Sequence, residues 1–315
     1  MKENFAIRDK SKKPKVIAVV GATASGKTAF AIELAKKMNG EIVSADSRLV
    51  YRGFDIGTAK PSVQEQKEVP HHMIDIVEPE IDYSAGVYAV EARRAVNSIL
   101  EKGCVPIVVG GTGLYFRVLL EGYDMPDVKP DYELRKELQM LSNAELYSML
   151  KSLSSSRAGE IELNDKRKLI RAIELERNLE KPLSEHKKEP EYDVEWIGLN
   201  FPRKELYERI EKRVDLMIDN GLIDETKRLL EKHGRIKNLV GTIGYREITA
   251  YLDGVMSFDE AVNKLKQNTR NYAKRQLTFF KRLPAVWIDK YETEKMCDFI
   301  LKDFYGREQP VYTIR

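Results

Sequence analysis

The chain has little cysteine, no long apolar run and almost no net charge. Its 315 residues include only two cysteines, Cys104 and Cys297. Two cysteines so far apart suggest neither a disulfide framework nor a zinc site, and they fit a reducing compartment. No apolar run approaches the roughly 18 residues of a membrane span, and the first residues lack the apolar core of a secretory signal. We therefore expect a cytoplasmic protein with no membrane partner.

The overall charge does not identify a partner. A hydrophobic content of 42% and a charged content of 33% are typical of a soluble globular protein, and the formal net charge is +3. A charge this small does not indicate a nucleic-acid partner by itself, so a basic surface has to be inferred from clusters of Lys and Arg. The length allows one large α/β domain and a smaller second one.

What is present begins with a phosphate-binding loop. The apolar run at 16–20 leads directly into the pattern G-x-x-x-x-G-K-[ST], and a helix-like segment follows at 29–38. Glycines let backbone N–H groups turn toward phosphates at a helix N-terminus, a Lys adds positive charge, and a Thr hydroxyl can hold Mg²⁺. The loop predicts a bound pyrophosphate group without specifying the reaction. Its residues are Gly21, Ala22, Thr23, Ala24, Ser25, Gly26, Lys27 and Thr28.

Two further predicted strands end in residues suited to a ligand site. The strand predicted at 41–45 ends in Asp46 and Ser47, and the strand at 105–109 ends in a second glycine-rich loop at 110–115. Open α/β sheets bind ligands in the crevice at the carboxyl ends of their parallel strands. We therefore expect these residues and the phosphate loop to line one crevice.

Strand signals disappear after residue 122 and return near 195. Helical segments are predicted at 131–139, 143–153 and 164–179, with a polar connector at 152–156. This predicts an α/β core with a small all-helical insertion. We assign 14–122 and 195–305 to the core and 123–194 to the insertion.

Two predicted helices are rich in Lys and Arg. The helix at 165–176 carries four basic residues within six positions, and the helix at 257–283 interleaves bases with aromatic residues. Nucleic-acid-binding proteins use Lys and Arg side chains to contact phosphates, and aromatic side chains to stack on nucleobases. Either helix could instead present an ordinary solvated face.

The residues of the crevice leave two reactions open. A nucleotide kinase needs the same phosphate loop. The loop could instead hold a leaving pyrophosphate while a nucleophile attacks carbon, with Asp46 as general base. A switch GTPase is disfavoured because the chain has no Asn-Lys-x-Asp element. Spacing alone does not choose between the first two.

The motifs, taken together and in order, resemble those of the tRNA dimethylallyltransferases, also called tRNA isopentenyltransferases. The similarity covers roughly residues 15–290 and is most specific from Asp46 to Pro61. Its motifs lie at 21–28, 46–61, 71–75, 84–85, 110–115, 164–174, 243–247 and 269–278.

The resemblance implies a P-loop NTPase-like parallel sheet flanked by helices, and a reaction that needs Mg²⁺. A dimethylallyl group would pass from dimethylallyl diphosphate to N6 of the adenine just 3′ of the tRNA anticodon. Asp46 would accept the amine proton, Thr23 would lie near the reacting groups, and Thr28 would bind the metal. Arg213 would bind diphosphate, although a surface ion pair is the alternative.

The resemblance also implies which residues contact tRNA. The insertion would clasp the anticodon stem-loop from the side opposite the core, with the enzyme acting as a monomer. The implied contacts are Asp46, Ser47, Arg48, Leu49, Thr112, Arg135, Arg167, Lys168, Leu169, Ile170, Arg171, Gly241, Gly244, Tyr245, Arg246, Arg270, Lys274 and Arg275.

The chain departs from the family pattern at a few positions. Leu49 stands where many relatives have Gln, Phe279 where they have Trp, and Ala22 where Pro is common. Leu49 removes one polar group near the substrates. The zinc finger of eukaryotic relatives is absent, as in a bacterial-type enzyme. A prenyltransferase of free adenine nucleotides shares the front half of the chain, but the basic helix at 257–283 and the insertion favour RNA.

Overall fold

The computed structural model describes residues 13–123, 128, 130–179, 188–289, 300 and 304. Parts of the predicted insertion and of the predicted second core segment therefore lie outside the described residues. The chain divides into two compact units. We call Met1–Phe116 with Glu191–Arg315 the sheet unit, and Arg117–Pro190 the helical unit.

A parallel sheet forms the centre of the sheet unit. Its six strands within the described residues are β1 (Lys15–Gly21), β2 (Gly40–Ser44), β3 (His71–His72), β4 (Val105–Val109), β5 (Asp193–Asn200) and β6 (Val286–Asp289). Their order is β3-β2-β4-β1-β5-β6, and every neighbouring pair is parallel. Residues 16–20 of β1 are fully buried, because helices cover both faces of such a sheet. A strand that is covered on both faces is typically a continuous apolar run.

Thirteen helices are described. They are α1 (Lys27–Met38), α2 (Val63–Glu68), α3 (Ala85–Glu101), α4 (Gly113–Leu120), α5 (Tyr132–Met140), α6 (Asn143–Leu153), α7 (Ser155–Gly159), α8 (Lys166–Asn178), α9 (Arg203–Asp219), α10 (Leu222–His233), α11 (Lys237–Val240), α12 (Tyr245–Leu252) and α13 (Phe258–Phe280).

Each of the two units has its own apolar core. In the sheet unit, α1 packs residues such as Leu34 and Met38 against Ile17 of β1 and Ile107 of β4. A second cluster of this unit forms around Phe54 and joins the segment after β2 to α9, α10, α12 and α13. The helical unit has its own core, built from α5, α6, α7 and α8. Burial of these apolar side chains is the main force that holds each unit together.

The predicted fold class is confirmed by the six-stranded parallel sheet and its flanking helices. Local signals placed several helices well. Ser84 caps α3 by accepting a hydrogen bond from the Val87 N–H at 3.2 Å. Ser257 and Glu260 form a capping box at the start of α13. Side-chain caps of this kind can be read directly from sequence because both partners lie within one turn.

The motif at 71–75 forms a strand only at its first two residues, and Met73 and Asp75 take left-handed backbone conformations with φ of 65° and 53°. Two local expectations were wrong. The glycine-rich loop at 110–115 turns into a helix, α4, at its third glycine. The polar connector at 152–156 contains the start of α7, which Ser154 caps.

Candidate active site

Three loops at the carboxyl edge of the sheet build one crevice. The phosphate loop follows β1, Asp46 follows β2, and Gly110 and Gly111 follow β4, which lies between the other two strands. The crevice has a volume of about 850 Å³ and is also lined by residues of α9 and α13. The predicted convergence of these loops is therefore what the structure shows, at the switch point where open sheets bind ligands.

The phosphate loop has the backbone conformation that its sequence demands. Gly26 has a φ of +83°, a left-handed conformation that favours glycine, and α1 begins at the next residue. The Lys27 ammonium donates a hydrogen bond to the Ala22 carbonyl oxygen at 2.6 Å. Arg209 donates from Nε to the Ala24 carbonyl oxygen at 2.8 Å. These contacts brace the loop from both sides while the N-terminus of α1 faces the crevice.

The electrostatics of the crevice favour an anion. The pKa of Lys27 is lowered to about 7, chiefly by burial and also by the nearby Arg213 guanidinium, while Asp46 partly opposes both effects. Burial also lowers the pKa of Arg213, and Asp46 again acts in the opposite direction. Lys27 and Arg213 are only partly exposed and repel each other, so a bound polyanion such as a diphosphate would stabilise the charged forms of both.

A short hydrogen-bonded turn fixes Asp46. One carboxylate oxygen of Asp46 accepts a hydrogen bond from the Arg48 N–H at 2.8 Å. The adjoining Ser47 N–H donates to Thr112 Oγ1 at 3.0 Å. The loop after β4 can approach this closely because a Cβ on Gly110 would lie 2.2 Å from the Ala45 carbonyl oxygen. Asp46 thus keeps a second carboxylate oxygen for chemistry in the crevice.

Arg213 reaches the crevice from α9. Its Nη2 donates to the Thr58 carbonyl oxygen at 3.4 Å, and its side chain lines the crevice with Lys27 and Asp46. The described contacts of Arg213 include no carboxylate partner at ion-pair distance. Its position favours the predicted diphosphate contact over the surface ion pair.

The structure brings many of the residues predicted as site residues into the crevice lining. These are Thr23, Ala24, Gly26, Lys27, Thr28, Asp46, Ser47, Arg48, Leu49, Arg213, Gly241, Arg246 and Arg275.

Other predicted residues of the sheet unit lie outside that lining. Gly21, Ala22 and Ser25 are buried in the phosphate loop, and Thr112 supports Ser47 from behind. Gly244 and Tyr245 are buried, Arg270 pairs with Glu211 at 2.7 Å, and Lys274 is exposed on α13. The Tyr245 side chain is fully enclosed, so the direct RNA contact implied for it is not available to that side chain.

In the helical unit, the predicted contacts divide into two groups. Arg167 and Lys168 are exposed on α8, whereas Leu169 and Ile170 lie in the apolar core. Arg135 holds the fully buried Glu174 through two hydrogen bonds, of 2.9 and 2.7 Å, and Arg171 pairs with the same carboxylate. The implied RNA contacts of Leu169 and Ile170 are therefore unavailable to their side chains, which serve packing.

Two buried polar side chains of the site region were not predicted as such. Gln276 lies on α13 and hydrogen-bonds the phosphate loop. Glu225 lies on α10 and hydrogen-bonds the backbone of residues 56 and 57. A polar residue at a buried position of a helix is the only sequence signal for either, because their partners lie far away along the chain.

Comparisons with known proteins identify the family of this chain. Residues 49–283 match the family model described as IPP transferase. The chain is 42% identical over 301 residues to a tRNA dimethylallyltransferase of Carboxydothermus hydrogenoformans, covering 92% of this chain and 97% of the relative. It is 42% identical over 286 residues to the tRNA dimethylallyltransferase of Bacillus subtilis, covering 88% and 91%.

Solved structures give the same result. The full-length tRNA isopentenylpyrophosphate transferase of Bacillus halodurans matches with a TM-score of 0.70 and 37% identity, over 93% of this chain and 97% of that one. A eukaryotic dimethylallyltransferase acting on tRNA matches with a TM-score of 0.80 and 27% identity, over 93% and 79%. Among the described residues, no helix combines the length and hydropathy of a membrane span. The family resemblance is confirmed: this chain belongs to the tRNA dimethylallyltransferase (IPP transferase) family.

Proposed function

We propose that this enzyme transfers a dimethylallyl group from dimethylallyl diphosphate to N6 of the adenine just 3′ of the anticodon in tRNA and releases diphosphate. The observation that carries the proposal is the placement of Asp46 in one crevice with the phosphate loop, close enough for its charge to act on both Lys27 and Arg213. Family membership supports the same reaction.

The reaction is a displacement at carbon. The N6 lone pair of adenine forms a bond to C1 of the dimethylallyl group while the bond from C1 to the diphosphate oxygen breaks, and diphosphate leaves with the electron pair. The N6 proton passes to the carboxylate of Asp46. An exocyclic adenine amine is a weak nucleophile, so a base within hydrogen-bond reach assists it once the adenine is extruded from its stack.

The phosphate loop and Arg213 act on the leaving group. Negative charge grows on the departing diphosphate oxygen in the transition state, and Lys27, Arg213 and the N-terminus of α1 stabilise it there. Within the phosphate loop, the Thr23 N–H donates a hydrogen bond to the Gln276 side chain, which holds the Thr23 backbone in place. Stabilisation that is stronger in the transition state than in the bound substrate raises kcat.

The crevice also fits the predicted Mg²⁺. Thr28, the residue predicted to bind the metal, lines the crevice, and its hydroxyl is a hard oxygen donor. Across the described part of the chain, no cluster of three or more His, Cys, Asp or Glu could enclose a metal. Mg²⁺ suits such a site because it keeps several waters and takes ligands from substrate phosphates. When bound, it would neutralise charge on the diphosphate.

We further propose that the RNA bound is the anticodon stem-loop, and that exposed basic residues of α13 and, separately, of α8 contact its phosphates. Arg275 lines the crevice and Lys274 is exposed one residue before it on α13, while Arg167 and Lys168 are exposed on α8. Exposed Lys and Arg side chains of this kind can pair with the phosphates of an RNA backbone.

Incubation with labelled dimethylallyl diphosphate and either tRNA or AMP tests the proposal. We expect label in tRNA, and nuclease digestion should place the added mass on the adenosine next to the anticodon. Label in AMP but not in tRNA would instead identify an enzyme acting on free nucleotides. Transfer of phosphate from ATP to a nucleotide, without prenyl transfer, would identify a kinase.

A further inference from the structure

Gln276 joins two loops of the active site through one buried side chain. Its Oε1 accepts a hydrogen bond from the Thr23 N–H at 2.7 Å, and its Nε2 donates to the Gly111 carbonyl oxygen at 3.0 Å. The residue is 5% exposed. Buried amides are retained where both of their ends are satisfied, and here each end meets a different loop.

The connection continues from Gly111 to the neighbourhood of Asp46. Gly111 is followed by Thr112, whose Oγ1 accepts a hydrogen bond from the Ser47 N–H, and Ser47 follows Asp46 in the chain. A chain of covalent and hydrogen bonds thus runs from Thr23 through Gln276 to the turn that holds Asp46. A Cβ on Gly111 would lie 2.2 Å from Gln276 Nε2, so this glycine lets the loop approach the amide.

We propose that Gln276 is a positioning residue that sets the distance between the phosphate loop and the Asp46 base. The inference rests on the proposed function, in which the loop holds the leaving group and Asp46 holds the nucleophile. Gln276 bonds the phosphate loop directly, and it reaches the turn that holds Asp46 through Gly111, Thr112 and Ser47. A misplacement of about 1 Å between such groups can cost about 10²-fold in rate.

Two substitutions separate this role from simple packing. Gln276→Met keeps the length of the side chain and removes both hydrogen bonds. Gln276→Glu, when ionised, still accepts from Thr23 but repels the Gly111 carbonyl oxygen. When protonated, the same carboxyl can donate to Gly111 and accept from Thr23, as the amide does. Burial raises the pKa of a carboxyl group, so this protonation should occur near neutral pH.

The experiment measures kcat, KM for dimethylallyl diphosphate, tRNA affinity and thermal stability for both variants and the wild-type enzyme between pH 6 and pH 8. Gln267→Met is the matched control, since Gln267 is exposed on the same helix and pairs with Lys264. We expect Gln276→Met to lose roughly 10- to 100-fold in kcat, with tRNA affinity within about threefold of wild type. The ratio of Gln276→Glu to wild-type activity should rise as the pH falls.

Other results would overturn the inference. One is wild-type kcat in Gln276→Met. Another is a variant that loses thermal stability and tRNA affinity while its kcat is unchanged. If Gln276→Met does not fold, the pH response of Gln276→Glu decides, and a ratio that stays constant with pH overturns the inference. An inactive wild-type enzyme would instead count against the proposed function.

Discussion

Tyr245 donates a hydrogen bond from its hydroxyl to the buried carboxylate of Glu225 at 2.6 Å. The same carboxylate accepts hydrogen bonds from the backbone N–H groups of Ile56 and Gly57, at 2.9 and 3.0 Å. A Cβ on Gly57 would lie 2.6 Å from the Tyr245 ring, so glycine lets this loop lie directly on the ring. Glu225 and Tyr245 therefore anchor the segment whose Thr58 carbonyl oxygen meets Arg213.

We expect Glu225→Ala to lower the free energy of unfolding by about 3 to 5 kcal/mol, because two backbone donors and a hydroxyl lose their partner inside the protein. Tyr245→Phe removes one of three donors and should cost about 1 to 2 kcal/mol. Urea denaturation measures both. Glu231→Ala is the control, since Glu231 is exposed on the same helix and should show no measurable loss. Equal stability of Glu225→Ala and wild type would contradict the anchoring role.

The parts of the site that follow local rules could be predicted from the sequence. The phosphate loop is defined by eight consecutive residues, and Ser84 and Ser257 cap helices through partners three residues away. Those contacts depend on short stretches of chain. The ends of β2 and β4 converge because parallel strands share one carboxyl edge, and this too was predictable once the strands were assigned.

The remaining features depend on contacts between distant residues. Gln276 bonds Thr23 across 253 positions, and Glu225 bonds Ile56 across 169. Tyr245 belongs to a motif implied to contact RNA, yet its ring is buried because Gly57 packs on it. The local sequence of a family motif does not show whether a side chain in it packs inside the protein or binds a ligand.

Asp46→Asn tests the general base with little change to the turn. An Asn side-chain oxygen can still accept the hydrogen bond from the Arg48 N–H, but the amide does not take up the proton of the adenine amine. Typical losses of a general base predict a fall of about 10² or more in kcat, with tRNA affinity within several-fold of wild type. Single-turnover kinetics and filter binding measure the two quantities. Asp219→Asn, at an exposed helix end, should leave both unchanged, and normal turnover in Asp46→Asn would remove Asp46 from the mechanism.

We expect the enzyme to take up a proton at Lys27 when it binds diphosphate. The pKa of Lys27 in the free crevice is lowered to about 7, and a bound polyanion should raise it. At pH 8 the free ammonium is therefore mostly deprotonated, and it becomes protonated in the complex. Affinity for diphosphate should fall as the pH rises above 7, because each binding event then requires a proton from solution.

Calorimetry in buffers of different ionisation enthalpy measures this proton uptake at pH 8. Lys27→Arg is the control, because an arginine stays charged at this pH. The Lys27→Arg variant should therefore take up fewer protons on binding diphosphate than the wild-type enzyme does. The same uptake by both proteins would assign the protons to the diphosphate itself. A pH-independent affinity in the wild-type enzyme would contradict the lowered pKa of Lys27.

The basic residues of the helical unit should separate into those that bind RNA and those that hold the unit together. Burial alone would raise the pKa of the Glu174 carboxyl, but hydrogen bonds from Arg135 and Arg171 bring it below the usual value. Arg135→Ala leaves this fully buried carboxylate short of a partner. We expect a loss of about 3 kcal/mol in the free energy of unfolding, with tRNA affinity within about threefold of wild type.

Arg167→Ala should do the opposite, since Arg167 is exposed on α8. Loss of one phosphate contact should weaken tRNA binding roughly uniformly across sequences and reduce the salt slope of log Kd by about 1. Filter binding over a salt series, together with urea denaturation of both variants, measures the two effects. A shallow salt dependence in the wild-type enzyme, or an unchanged slope in Arg167→Ala, would mean that this face of α8 is ordinary solvated surface. A steep loss of tRNA affinity in Arg135→Ala at full stability would instead place Arg135 at the RNA.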